Sequence, residues 1–346
     1  MLRVAVLAGL LAGSEPETLS RCNVPVFRYA LERWPAGTFS AVVFHRGPLG
    51  GDATAALEHL SRAKANVNAC SVDVAAPMSD RMKRVWDSRT RAADPCLVVL
   101  APDRDDAVWW GPATLEAARG VVDSPARRDL VQRILSGDSA VWVVVESGDR
   151  RKDDAAASLL ETELRREEQL IRLPDPRPDD PPLLSDVPLR IRFSALRVSR
   201  WDPGEESFVR MIVGNIDASG PLVVPVFGRG RALAAIAGAA IDPSAIRRPA
   251  VFLTGPCSCE AKQETPGRDL LLAADWEGLR SVSRLSKDPL PLPILSPRAA
   301  VTPEGQVPEP ADAPAFRRWI LWVALGANAV LIVLTAASLR PRRGPL

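Results

Sequence analysis

Residues 319–339, WILWVALGANAVLIVLTAASL, run for 21 positions without a charge. A backbone in lipid has to satisfy its own hydrogen bonds, and at 1.5 Å rise per residue such a run spans a hydrocarbon core of about 30 Å as one helix. Arg317 and Arg318 bound it on one side and Arg340, Arg342 and Arg343 on the other. Trp319 and Trp322 stand where indoles favour the headgroup region. A buried core helix of this length would show a polar face, and here Asn328 is the one strongly polar side chain. It is either tolerated or hydrogen-bonded to a partner helix. The expected partner of residues 319–339 is therefore the lipid bilayer.

At the other end, Met1-Leu2-Arg3 and the apolar run 4–11 have the charge and length of a short signal peptide, expected at residues 1–20, with small residues Ser14 and Ser20 at the possible cleavage points. Leu19-Ser20-Arg21-Cys22 looks like a lipobox, but Arg21 stands where a small residue is required. With a leader, the body is exported to the periplasmic side of the cell membrane as a single-pass protein. The basic tail 340–346 then stays inside, in keeping with the positive-inside rule. Without one, the chain is tail-anchored with its body in the cytoplasm.

Two proline-rich stretches divide what remains. Residues 287–314 carry eight prolines in 28 residues and read as an extended stalk. Residues 173–188 alternate Pro with Asp and read as a linker between domains at 21–172 and 189–286. Short β-branched runs (40–44, 67–74, 96–101, 140–146) alternate with helical ones (54–65, 114–122, 127–135, 153–170), the pattern of an α/β sheet buried on both faces. The second half repeats it, with strands expected at 190–198, 222–227 and 250–254 and helices at 205–213 and 231–239. Local echoes, 129–149 against 207–230 and Pro95 to Leu100 against Pro249 to Leu253, suggest a duplication. Lys+Arg 44 against Asp+Glu 42 leaves a net charge of +2, which gives no argument for a nucleic-acid partner.

The order of elements in residues 39–146 resembles a thioredoxin-like domain. A strand ending VVFHRG leads through a loop and helix to VNACSVDV, and after a further helix Pro95 immediately precedes the strand CLVVL. The resemblance implies a thioredoxin-like α/β fold for this half and a cis proline at 95 facing the functional end of the sheet; with the local echoes, the expected fold class is α/β with tandem thioredoxin-like, or similar, domains. Redox members carry Cys-x-x-Cys after the first strand, whereas this loop reads His45-Arg46-Gly47-Pro48-Leu49-Gly50. The departure implies a binding or assembly module more than an enzyme, and a body held on a stalk above the bilayer is expected to work beside a membrane-protein partner.

Chemistry has one other foothold. Thr254-Gly255-Pro256-Cys257-Ser258-Cys259 sets two sulfurs two residues apart in a Gly/Pro loop. Cys257 and Cys259 are the candidate catalytic residues of a thiol-disulfide oxidoreductase, the candidate ligands of a soft metal such as Cu(I) or zinc, or structural thiols. Five cysteines are an odd number, and Cys22 is the natural one left over. Cys70 and Cys96, on strand-like runs, are expected to be buried and would bridge if their strands were neighbours. Phe227-Gly228-Arg229-Gly230-Arg231 reads as a tight strand-to-helix turn with solvated arginines, because Leu233 replaces the third glycine of a phosphate loop. Trp109-Trp110 reads as packing, and residues 161–168, ETELRREE, as a solvated helix face. No cofactor is called for by any motif.

Overall fold

Alternate residues of one strand fill two different cores. In β1 (Phe39–His45), Ala41 and Val43 point to one side and Val42 and Phe44 to the other, as the two-residue period of a strand requires. The computed structural model describes residues 22–88, 93–102, 106–214, 216, 219–257, 262 and 267–280. The leader at 1–20, the stalk at 287–314, the apolar run 319–339, the tail 340–346 and Cys259 lie outside the described residues.

β1 is joined by α2 (Gly51–Arg62) to β2 (Val67–Asp73), and α3 (Asp80–Asp87) leads on to β3 (Cys96–Leu100), β4 (Ala107–Pro112) and α4 (Leu115–Val122). The sheet order is β2-β1-β3-β4, with β1 and β2 parallel and the other pairs antiparallel. Ala53, Ala56 and Leu60 of α2 pack with α4 on one face, and Val85 of α3 covers the other. Ser79 and Thr114 cap α3 and α4 by accepting the N–H of Met82 and Ala117.

α5 (Pro125–Leu135) crosses to a second sheet. There β5 (Ala140–Glu146), α6 (Arg150–Leu170), β6 (Phe193–Ser199), α7 (Glu206–Val213), β7 (Leu222–Phe227), β8 (Arg231–Ala232) and α8 (Pro243–Thr254) follow one another. The short β9 (Ile236–Ala237) pairs with β7, and β10 (Arg268–Asp269) with β8, giving the order β10-β8-β7-β5-β6. β5 runs parallel to β6 and antiparallel to β7. The connectivity of the first sheet is thus repeated, strand-helix-strand-helix-strand-strand-helix, with the first strand of each set between the second and third. Both sheets contribute to one interior, since Val43 and Leu97 share an apolar cluster with Val143 and Val224. The opposite face of the second sheet, Trp142 and Val144, is covered by α6, α8 and α1 (Val26–Arg33).

The repeat corrects the expected boundaries. β5 and α6, placed by sequence in a domain at 21–172, pair and pack with the second sheet, so the change of sheet falls between residues 123 and 139, at α5. Residues 173–188 are not a linker between sheets. They lie along α1: the Arg28 guanidinium donates to the carbonyls of Ser185 and Val187 at 2.6 Å each, Glu32 accepts from Ser185 N–H and Oγ at 3.1 Å, and Asn23 N–H donates to Asp180 at 2.7 Å. Arg28 and Glu32 pair at 2.8 Å with both side chains 1% exposed. Proline there excludes ladder and helix bonds, and the freed carbonyls are satisfied by these side chains instead.

Two further elements differ from expectation. Residues 250–254 are the end of α8, not a strand, and Ile246, Ala250 and Leu253 bury one helical face. Residues 231–239 form β8, a short irregular connection, β9 and the start of a short 3-10 helix rather than a helix. The counterpart of Pro95 before β3 is therefore Pro221 before β7, and Pro249 lies inside α8.

Candidate functional site

The C-terminal end of β1 gathers the residues that the fold singles out. Parallel register sets His45 beside Asp73 of β2, and the antiparallel pairing of Phe44 with Cys96 brings Pro95 opposite His45. The Asp94–Pro95 peptide is cis, as the resemblance implied. Gly47 has φ +71°, a conformation open to glycine at little cost. The turn this allows directs the Gly47 carbonyl to His45 Nδ1 at 2.6 Å. A carbonyl only accepts, so Nδ1 carries a proton in this contact. The Asp73 carboxylate accepts the N–H of Ala75 at 2.8 Å and of Gly47 at 3.3 Å. These bonds, Ala75 foremost, hold its carboxyl below the ordinary carboxylate range; desolvation opposes them, and the charges of His45 and Arg46 add to them. Arg46 is exposed, and Pro95 is half-buried. The site thus offers a cation, a carboxylate and an imidazole around an exposed loop. Residues 45–50 contain no thiol.

The corresponding end of the second sheet is built differently. Ser147 N–H, Ser147 Oγ and Gly148 N–H all donate to Asp153 of α6, at 2.8 to 3.0 Å, and the Trp201 indole N–H donates to the Ser147 carbonyl at 3.2 Å. The loop after β5 is consumed by its own helix cap, while Trp201 stays 73% exposed above it.

The cysteines separate into distinct environments. A short antiparallel pairing joins the start of α1 to the end of α8: Cys257 N–H donates to Val24 O at 2.8 Å, Val26 N–H to Gly255 O at 3.1 Å, and Pro25 bridges Pro256. This brings the Cys22 thiol to the Cys257 carbonyl, to which it donates at 3.3 Å. Cys22 and Cys257 are both buried, at 6% and 2% exposure, among Phe27 and Leu253. At a sequence separation of 235, no local sequence signal announced this contact. Cys259, the other half of the motif, lies outside the described residues. Cys70 and Cys96 cannot bridge, because β1 separates their strands and two strand spacings of about 4.8 Å exceed the Cα reach of a disulfide. Cys96 is fully buried, while Cys70 is exposed, contrary to expectation, and desolvation pushes its thiol up against the opposing pull of Arg81. Among the described residues no group of three His, Cys, Asp or Glu side chains is placed to hold a metal.

Other sequence features are structural. Residues 227–231 form the β7–β8 turn rather than a strand-to-helix turn, and both arginines are buried rather than solvated. Arg229 donates to Leu31 O at 2.9 Å and to Glu277 at 2.8 Å, and Arg231 pairs with Asp269 at 3.3 Å. Trp109 packs in the shared interior. Trp110 borders an open cleft of about 960 Å³ that is also lined by Phe39, Met211, Arg210 and Arg268. The helix face at 161–168 is only partly solvated, since Glu167 is buried and pairs with Arg247 of α8 at 3.3 Å and Glu168 accepts the Phe193 N–H at 2.6 Å.

Among the described residues no helix is long and apolar enough to cross a membrane. The chain matches no protein-family model, and no curated protein resembles it significantly.

Proposed function

We propose that this chain is a membrane-anchored, exported pair of thioredoxin-like units that serves binding or assembly at the membrane surface rather than thiol exchange. One observation carries the reading. The end of β1, opposite Pro95, is where a thioredoxin-like oxidoreductase needs its nucleophilic sulfur, and it presents His45, Arg46 and Asp73 with no thiol in residues 45–50. The connectivity that supports a thioredoxin-like assignment occurs twice, and the second copy closes its equivalent loop with Asp153. Membrane placement is supported by the uncharged run 319–339 and its flanking arginines.

Two measurements test it. The purified full-length chain is assayed for insulin reduction with dithiothreitol; no rate above the reductant alone is expected, and a catalysed rate lost in Cys257→Ser or Cys259→Ser refutes the reading. Protease added to intact spheroplasts is expected to digest the body, and protection until lysis reverses the orientation.

A second reading, thiol-disulfide exchange or soft-metal binding at Cys257-Ser258-Cys259, has one observation in its favour: the Cys22 sulfur at 3.3 Å from the Cys257 carbonyl adds a third thiol beside the motif. Against it stands the burial of Cys257, which removes the access that attack on a disulfide requires. Stoichiometric Cu(I) retained by the wild type and lost in Cys259→Ser would favour the metal form. A Cys257–Cys259 pair that alkylates only after reduction would favour the redox form.

A further inference from the structure

Among the described residues the two sheets have five outer strands, and four of them are protected against pairing. β9 and β10 are each two residues long. β4 ends in Pro112 and has α7 packed beside it. β6 carries Arg197, held by Asp154 at 2.7 Å and by Glu146. Charge, proline, shortness and cover are the devices by which sheet edges avoid unwanted partners. β2 uses none of them. Its seven residues, VNACSVD, hold no proline and no charge before Asp73, its register with β1 is unbroken, and Asn68, Cys70 and Ser71 are exposed. Among the described residues no strand pairs with its outer side.

We propose that the outer edge of β2 pairs antiparallel with β2 of a second copy of this chain. A two-fold contact sets each strand against itself, so the edge has to be self-complementary. Centred on Cys70, the middle residue of β2, the pairing sets Cys70 against Cys70 of the partner subunit. Ala69 then meets Ser71, Asn68 meets Val72, and Asp73 meets Val67, so no like charges face each other. The result is a continuous eight-stranded sheet with β4 at both outer ends. Directly opposed Cβ atoms lie about 4.5–5.5 Å apart, just above the separation of a disulfide, so the two Cys70 thiols are within reach of each other. With a disulfide oxidant such as oxidised glutathione, the two thiols give up two protons and two electrons. The S–S bond forms between the copies, and the oxidant leaves as two thiols. This contact gives the assembly role a partner, but it stands on strand edges alone, so its failure would leave the membrane placement untouched.

The test uses the full-length chain in detergent, weighed by native mass spectrometry and sedimentation. The wild type is expected to form a dimer that oxidised glutathione links through Cys70. Cys70→Ser keeps the dimer and loses the link. Cys70→Lys, at an exposed position, keeps the wild-type melting temperature and weakens the dimer at least tenfold, and mixing it with Cys70→Glu restores association. Asn68→Lys, a second exposed edge position, weakens it likewise. A wild-type monomer at every concentration, a Cys70→Lys dimer as tight as wild type, or a link through another cysteine overturns the proposal.

Discussion

Arg127 ties the two repeats together, and replacing it with methionine tests how much that junction matters. The side chain is 1% exposed, and burial lowers its pKa to about 10, opposed by the charges of Glu205 and Asp123. Its Nε donates to Leu271 O at 3.1 Å, and its Nη atoms reach Ser207 Oγ at 3.2 Å and both Gly120 O and Ser124 Oγ at 3.4 Å, with the guanidinium 5.0 Å from the centre of the Phe208 ring. Glu205, also buried, accepts Ser124 Oγ at 2.6 Å and Ala126 N–H at 2.8 Å, capping α5. Methionine preserves much of the volume but orphans the Leu271 carbonyl and removes a positive charge that acts on Glu205 without forming an ion pair with it. Gly120 O keeps Ser207 Oγ as a donor at 2.7 Å. Leaving a buried acceptor without its donor costs about 1–3 kcal/mol. Arg127→Met is therefore expected to lower stability by about 1–3 kcal/mol in urea unfolding followed by tryptophan fluorescence. Adding Glu205→Gln removes one of the two carboxylate oxygens that accept from Ser124 and Ala126, so it is expected to deepen the loss. A single-variant cost below about 0.5 kcal/mol, or a double variant more stable than the single one, would refute this account.

Gly47→Ala is expected to cost about 1 kcal/mol, from its positive φ alone, because the added Cβ meets nothing within 4 Å; Gly228→Ala adds a 2.8 Å clash with Ala30 Cβ and should lower the melting temperature well beyond it. Asp73 has a depressed carboxyl pKa in the folded chain, so its contribution is present above the ordinary carboxylate pKa and is lost as pH falls through the lower folded value. Unfolding curves taken from pH 5 down to pH 2 should lose this contribution in Asp73→Asn, and equal slopes in both proteins would contradict it. Arg28→Met removes the donor to Ser185 and Val187 and the partner of Glu32, so limited proteolysis should cut first within residues 173–188. Unchanged cleavage sites would mean the segment is held by something else.

What could be read from sequence depended on how local the evidence was. β1, β5 and β7 are apolar runs of six or seven residues, and the chain composition marks them as strands. A strand buried on both faces, such as Ala140–Glu146, shows no preferred side, so nothing in it says which sheet it joins. That is why the boundary was expected at 173–188 instead of at α5. The end of α8 misled for a related reason: five apolar-rich residues fit strand and helix alike, and the spacing of Ile246, Ala250 and Leu253 becomes decisive only with the preceding turn included. Proline at 174–188 correctly excluded regular structure, but the acceptors it leaves are claimed by Arg28 and Asn23, about 150 residues away. The loop at 45–50 and Pro95 were legible because the turn chemistry is local. The Cys22–Cys257 contact was not, since only the completed second repeat brings α1 against α8.

The apolar interior common to Val43, Leu97, Val143 and Val224 makes the two repeats interdependent. Severed near α5, each half would carry a bare greasy flank, so the two sheets are not separable modules. Any swivelling needed to reach a partner has to come from outside this shared interior, since the repeats cannot turn against each other without tearing it open.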